Sequence, residues 1–126
     1  DILTLMRSVT LERGTKNLRG LHICGLYDGK ELIIREDIGR HNALDKIIGY
    51  CLINEIETDD SVVFTTGRIS SEILLKSAKI QTGVVVSRST PTDLAIEIAE
   101  KLNITIIGYV RGNQMTIYTA FDRVIT

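Results

Sequence analysis

Three short stretches set arginine among glycine and hydroxyl residues: Asp37-Ile38-Gly39-Arg40-His41-Asn42, Thr65-Thr66-Gly67-Arg68-Ile69-Ser70-Ser71-Glu72 and Ser87-Arg88-Ser89-Thr90-Pro91-Thr92-Asp93. A fourth arginine, Arg111, stands before Gly112 and Asn113. Guanidinium forks, free backbone N–H groups and hydroxyls are the donor set that holds phosphate. The ordinary alternative is that these arginines pair with Glu36, Asp37 and Glu72, or face solvent. Their placement argues for a ligand. Each of the three stretches precedes a predicted helix, whose positive N-terminal end disfavours a nearby cation by roughly 0.3–1 kcal/mol. An anion reverses that sign. At ~1.5–3 kcal/mol per charge-assisted bond, two or three arginines supply much of the ~8 kcal/mol of a micromolar complex.

Other chemistries lack their residues. No G-x-x-x-x-G-K-[ST] loop, G-x-G-x-x-G turn or G-x-S-x-G elbow occurs, so the common nucleotide and hydrolase fingerprints are missing. His41-Asn42-Ala43 lacks the glutamate of H-x-E, and no P-C-x-x-C follows, which excludes a zinc deaminase. Cys24 and Cys51 are the two cysteines. They are too few for a disulfide framework or a four-cysteine zinc site. Cys51 falls on an apolar helical stripe and reads as core; Cys24 shares a strand face with His22 and reads as packed.

The elements that would position these residues alternate. A short helix is predicted over Ile2–Leu11. Leu21–Tyr27 and Glu31–Glu36 read as strands joined by a tight Asp28-Gly29 turn, since both residues tolerate positive φ. Leu44, Ile47, Ile48, Cys51 and Leu52 recur at helical steps and predict a helix over Asn42–Glu55. Strands over Ser61–Thr66 and Gly83–Ser87 each lead to a helix, over Ser71–Gln81 and Thr92–Asn103. Thr90 is the predicted N-cap of the last, with Pro91 at its first position and Asp93 completing a capping box. The apolar runs Val62-Val63-Phe64, Val84-Val85-Val86 and Ile104-Thr105-Ile106-Ile107 suit parallel strands. A last strand over Met115–Thr119 returns antiparallel. In a sheet with parallel strands the carboxyl ends share an edge, where such folds bind ligands, so the four arginines are expected to converge there.

Composition fits a single α/β domain of 126 residues, with no membrane-length apolar run and no visible leader. Fifteen Lys and Arg against sixteen Asp and Glu give a net charge of −1, and only two Phe and four Tyr are present. A nucleic-acid binder would normally show a basic excess and stacking aromatics. A reducing, cytoplasmic setting is expected.

The same residues carry a family resemblance. Glu36-Asp37-Ile38-Gly39-Arg40-His41-Asn42-Ala43-Leu44-Asp45-Lys46 closely resembles the E-D-[VI]-G-R-H-N-A-[LV]-D-K signature of FdhD-type formate dehydrogenase accessory sulfurtransferases. Thr66-Gly67-Arg68-Ile69-Ser70-Ser71-Glu72 with Lys76, Ser87-Arg88-Ser89-Thr90-Pro91-Thr92 with Leu94-Ala95, and Gly108-Tyr109-Val110-Arg111-Gly112 with Ile117-Tyr118-Thr119 are similar to its later motifs. The resemblance runs from about His22 to Thr119. It implies a three-layer α/β/α sandwich of the cytidine deaminase-like kind, with a mixed sheet and no zinc site. A family domain over residues 20–126 would follow an N-terminal helix and connection over residues 1–19.

By resemblance, the parent protein receives sulfur from a cysteine desulfurase as a persulfide and passes it to the molybdenum cofactor. That cofactor is the bis(molybdopterin guanine dinucleotide) form, destined for formate dehydrogenase. A GDP-like nucleotide would be a surrogate ligand, and a homodimer is expected. The implied cofactor-binding residues are Arg40, His41, Asn42, Asp45, Lys46, Gly67, Arg68, Ser70, Arg88 and Ser89. They are joined by the stretch Val110, Arg111, Gly112, Asn113, Gln114 and Met115. Three departures stand out: no C-x-x-C is present, Leu18-Arg19-Gly20 replaces the usual T-G-G stretch, and Gln114 stands where many relatives carry arginine. No persulfide cysteine is therefore expected in this chain. Two other functions fit the residues: an enzyme acting on a free nucleotide through His41, Asp45 and Glu72, or a docking domain for a molybdoenzyme.

Overall fold

The computed structural model describes residues 22–111 and 114–119. In chain order it has β1 (His22–Tyr27), β2 (Leu32–Asp37), α1 (Arg40–Ile53), β3 (Val62–Thr65), α2 (Ser71–Lys79), β4 (Val84–Ser87), α3 (Asp93–Leu102), β5 (Thr105–Arg111) and β6 (Gln114–Ile117). The strands form one six-stranded sheet in the order β2-β1-β3-β4-β5-β6. β3, β4 and β5 are parallel. β1 runs antiparallel to both β2 and β3, so β2 points the same way as the parallel strands. β6 returns antiparallel along β5. The mixed sheet and the alternation of elements match the pattern read from the sequence. The helix expected over Ile2–Leu11 lies outside the described residues, as does the boundary expected between residues 19 and 20.

The sheet has two apolar faces, as the continuous Val and Ile runs require. On one face Cys24, Leu26, Val63, Val85 and Ile106 pack with Leu44 and Ile47 of α1, Ile73 and Leu74 of α2, and Ala95 and Ala99 of α3. On the other, Phe64, Val86, Ile107 and Val110 form a second cluster to which no described helix contributes. The expected three-layer sandwich is thus described in two layers, sheet and helices. The connections explain it. Each βαβ step is right-handed by strong preference, and all three steps move in the same direction across the sheet. Helices laid down that way share a face. Full burial of a side chain such as Leu44 or Ile73 at this helix–sheet interface is worth ~1.5–3 kcal/mol.

Several boundaries differ from the sequence reading. Tyr27 pairs with Leu32, so the hairpin loop has four residues rather than the three left between strands ending at Tyr27 and starting at Glu31. Only Gly29 takes positive φ (101°). The Asp28 carboxylate instead accepts the N–H groups of Lys30 and Glu31, both at 2.8 Å, and these bonds hold the chain in the wider turn. Helix α1 starts at Arg40, two residues early, because Gly39 serves as its N-cap. Helix α3 starts at Asp93, and its cap is Thr92, whose hydroxyl accepts the Ala95 N–H at 3.1 Å. Thr90 and Pro91 are extended instead. Ile69 donates to the Thr90 carbonyl and accepts from the Thr92 N–H, in a parallel bridge with Pro91.

β5 carries a bulge between Gly108 and Arg111. Gly108 is required there: a Cβ would lie 2.9 Å from the Ser89 carbonyl oxygen and 2.9 Å from the Tyr118 ring. Its absence lets the β4–α3 loop lie directly on β5.

The two threonines before α3 give a direct check of the cap. Thr92→Ala should destabilise the fold by about 1 kcal/mol, while Thr90→Ala should cost about half that or less. Thermal or urea unfolding of both variants measures the difference, and the reverse order would return the cap to Thr90.

Candidate anion-binding site

The sheet topology brings the arginine-bearing stretches to one edge. The carboxyl ends of β2, β3, β4 and β5 all lie on it, together with the start of β1, where His22 stands opposite Asp37. The convergence expected from the sequence is therefore found at the level of the backbone.

Three of the strand ends use the same local device. The last residue of the strand is Asp37, Thr65 or Ser87. Its side-chain oxygen accepts the backbone N–H two positions on, from Gly39 at 3.0 Å, Gly67 at 3.1 Å and Ser89 at 2.9 Å. Such Asx- and ST-type turns bend the chain sharply off the sheet. They set Arg40, Arg68 and Arg88 at comparable places on the rim. The loops are also tied to one another. The Thr66 hydroxyl accepts from the Ile23 N–H at 3.2 Å, and the Thr66 N–H donates to the Ile23 carbonyl at 3.0 Å. The Ser87 hydroxyl donates to the Gly67 carbonyl at 2.5 Å. Arg88 N–H reaches the Thr65 carbonyl at 3.3 Å, and Tyr109 N–H the Ser89 carbonyl at 2.9 Å. The sequence reading missed Thr65, Ser87 and Thr66 as positioning residues. The signal was present in the repeated spacing Asp-x-Gly, Thr-x-Gly and Ser-x-Ser.

Two of the three carboxylates offered as ordinary partners for the arginines are engaged elsewhere. Asp37 pairs with Lys46 at 2.8 Å. The Lys46 ammonium and the Gly39 N–H, in that order, hold the Asp37 carboxyl down at about 2. Glu72 stands 3.7 Å from His41 Nε2. Arg68 and Arg88 are exposed, and among the described residues neither makes an ion pair. The acidic residues in the first turns of α2 and α3, Glu72 and Asp93, thus make no ion pair with these two cations. α1 has no side-chain cap and no acidic residue in its first turn. His41 lies in that turn, and its Nδ1 atom is buried without a hydrogen-bond partner. An imidazole nitrogen in that state lacks a donor or acceptor that a ligand or solvent would supply.

The remaining predicted residues divide. Lys46 also donates to the Glu36 carbonyl at 3.0 Å, so it fastens α1 to the end of β2. Asp45 accepts from Lys76 at 2.9 and 3.0 Å and links α1 to α2. Both pairs reach solvent, whose screening leaves each little weight in stability. Asn42 is exposed, with its amide folded back beside Gly39. Ser70 caps α2 by accepting the Ile73 N–H at 3.3 Å. Val110 is buried in the second cluster and Met115 packs against it, so their side chains face the core. Gln114 is exposed and pairs with Arg111 in the sheet. Gly112 and Asn113 lie outside the described residues. No group of three or more His, Cys, Asp or Glu able to hold a metal occurs among the described residues. Nor is any described helix long and apolar enough to cross a membrane.

Comparison with known proteins follows the same residues. The model of the FdhD/NarQ family matches residues 1–125. The sulfur carrier protein FdhD of Bacillus subtilis (strain 168) is 48% identical over 124 residues, covering 97% of this chain and 47% of that protein. The sulfur carrier protein FdhD of Listeria innocua is 51% identical over 106 residues, covering 83% of this chain and 41% of the relative. The chain therefore spans about half the length of the curated relatives it matches. Among solved structures, a chain from Desulfotalea psychrophila assigned as a formate dehydrogenase accessory protein superposes with a TM-score of 0.88. It is 31% identical, and the match covers 98% of this chain and 57% of that one. With the signature stretches gathered on one rim and the match running through nearly the whole sequence, the chain belongs to the FdhD/NarQ family.

Proposed function

We propose that this chain is the cofactor-binding part of a sulfur carrier serving formate dehydrogenase. In this reading the rim binds the pyrophosphates of bis(molybdopterin guanine dinucleotide)-molybdenum, the substrate that receives sulfur. The observation that carries the reading is the pair of unneutralised guanidinium groups, Arg68 and Arg88, on one edge with an uncapped helix N-terminus. Relatives called sulfur carrier protein FdhD and a structural neighbour assigned as a formate dehydrogenase accessory protein support the role. The sulfur donor would be a cysteine desulfurase, the setting cytoplasmic, and the assembly a homodimer.

This chain's own residues would do three things. Arg68 and Arg88 grip phosphate oxygens, with the Arg40 and Arg111 positions flanking them on the same edge. Gly39, Gly67 and Ser89 keep the backbone turned so that the rim is ready before ligand arrives. His41, fixed beside Glu72, offers its unpartnered nitrogen to the ligand. The reading as an enzyme that turns over a free nucleotide predicts product release from GDP. The docking reading predicts binding to formate dehydrogenase without any binding of the cofactor.

Neither cysteine is suited to carry sulfur. The attacking species is a thiolate. Burial, only partly opposed by a hydrogen bond with Thr65, pushes the Cys24 thiol up to about 11. At neutral pH this leaves about one part in ten thousand ionised. Burial, with Asp28 and Glu31 adding to it, also raises the Cys51 thiol.

Two outcomes are expected. GDP should bind the chain, more weakly as salt rises because screening removes the Coulomb attraction. Arg68→Ala and Arg88→Ala should each lower affinity about tenfold or more without lowering Tm, since removing a cation near a helix N-terminus relieves repulsion. Calorimetry that finds normal GDP affinity in both variants, with a large fall in Tm, would make these arginines structural. For the cysteines, iodoacetamide should modify neither at neutral pH in the folded chain and both after unfolding. Cys24 labelling should rise only as pH approaches the thiol's elevated range. Incubation with a cysteine desulfurase and cysteine should leave the chain without persulfide. A stoichiometric persulfide on Cys24, transferable to an acceptor, would overturn this assignment.

A further inference from the structure

The turn between α1 and β3 lies at the amino edge of the sheet, opposite the arginines. The chain there reads Leu52-Ile53-Asn54-Glu55-Ile56-Glu57-Thr58-Asp59-Asp60, with four carboxylates and no base. All four acidic residues are exposed. Among the described residues none of them makes an ion pair, and Asp59 has the neutral Gln81 amide for a partner. Asp28 and Glu31 of the β1–β2 hairpin carry the negative field to the last turn of α1, where they add to burial in raising the Cys51 thiol.

Two large apolar side chains stand in the same place. Leu52 is 73% and Ile53 83% exposed, at the end of α1. The way the helix ends accounts for their direction. The Glu55 N–H donates to the Leu52 carbonyl at 3.4 Å and the Ile56 N–H to the Cys51 carbonyl at 2.9 Å, with Glu55 in left-handed backbone (φ 52°). Ile56 thereby turns in onto the core, while Leu52 and Ile53 stay outside.

Stability alone would choose other residues here. Glycine is the usual occupant of the left-handed position, and cations suit the negative end of a helix. The other helices follow that rule, α2 with Lys76 and Lys79 and α3 with Lys101 in the last turn. α1 has no base in its last turn and runs instead into the four acids. An aliphatic pair ringed by unpaired charge has the layout of a protein contact, apolar at the centre and charged at the rim.

We infer that residues 52–60 form a docking surface for a partner protein that sets lysines and arginines around an apolar recess. The four acids fix the sign of the partner's charge. Leu52 and Ile53 require a recess that removes them from water. The surface lies away from the arginine rim and is free whether or not an anion is bound there, so the inference stands apart from the anion reading. A second copy would have to offer its own arginine rim, a head-to-tail contact that builds rings or filaments rather than a two-fold dimer.

The test is photo-crosslinking in the cell from Ile53→p-benzoylphenylalanine, with the same replacement at Leu75, an exposed leucine of α2, as the control. Mass spectrometry identifies the captured protein and the crosslinked segment. The expected result is one protein captured from position 53 and not from 75, joined through a segment rich in lysine and arginine. Combining Glu55→Lys with Glu57→Lys should cut that capture about tenfold or more. It should do so without lowering Tm, because lysines suit the end of a helix. Binding of the identified protein to the purified chain should also weaken as salt rises. Capture no greater than from position 75, or capture that survives the double reversal, would overturn the inference. So would a crosslink to a second copy of this chain or to an acidic segment. A large fall in Tm accompanying the lost capture would make the acids structural and overturn it as well.

Discussion

Right-handed crossover connections govern the arrangement, because they decide both which face the helices take and which edge the loops reach. Each helix leaves the carboxyl end of a strand and returns the chain to the start of another strand that runs parallel to it. Repeating that step in one direction puts α1, α2 and α3 on a single face. It also places the residues after β2, β3, β4 and β5 on a single edge. The core and the candidate site are thus two outcomes of one constraint. The helix–sheet interface holds the strands in register, and register fixes the spacing of the rim.

Within that frame, polar side chains at the strand ends convert strand into loop. Asp37, Thr65 and Ser87 each accept an N–H two residues downstream, which would otherwise lie unpaired at the end of the ladder. The loops then bond to each other rather than to solvent, through Thr66 with Ile23, Ser87 with Gly67, and Tyr109 with Ser89. A rim fixed in this way loses little conformational entropy when a ligand binds, which favours affinity. The electrostatics point the same way. Asp37 and Glu72 near the rim are matched to Lys46 and His41, and among the described residues Arg68 and Arg88 make no ion pair.

The left-handed backbone of Tyr109 (φ 57°) belongs to the same design. Gly108 gives up its side chain so that the β4–α3 loop can lie on β5, and the bulge that follows turns the next residue outward. A close backbone approach at one residue is therefore coupled to an exposed ring at the next.

The order of the elements, the parallel strands and the edge position of the arginines were legible in the sequence. Local physics sets them: apolar runs mark buried strands, helical spacing marks the helices, and a parallel sheet gathers its carboxyl ends. The signature stretches around Arg40, Arg68 and Arg88 were legible for the same reason, since their chemistry is carried by neighbouring residues. Contacts between distant segments were not. The Ile69–Pro91 bridge moved the α3 cap from Thr90 to Thr92. The pairing of Lys46 with Asp37 and of Lys76 with Asp45 ties two residues predicted to touch ligand into the fold. The outward turn of Tyr109 depends on Ser89, twenty residues upstream and on another strand's loop. The sequence by itself determined which groups would meet at the edge. The tertiary structure decided which of them are already satisfied there, because satisfaction of a charge or a hydrogen bond depends on partners that only folding brings within reach.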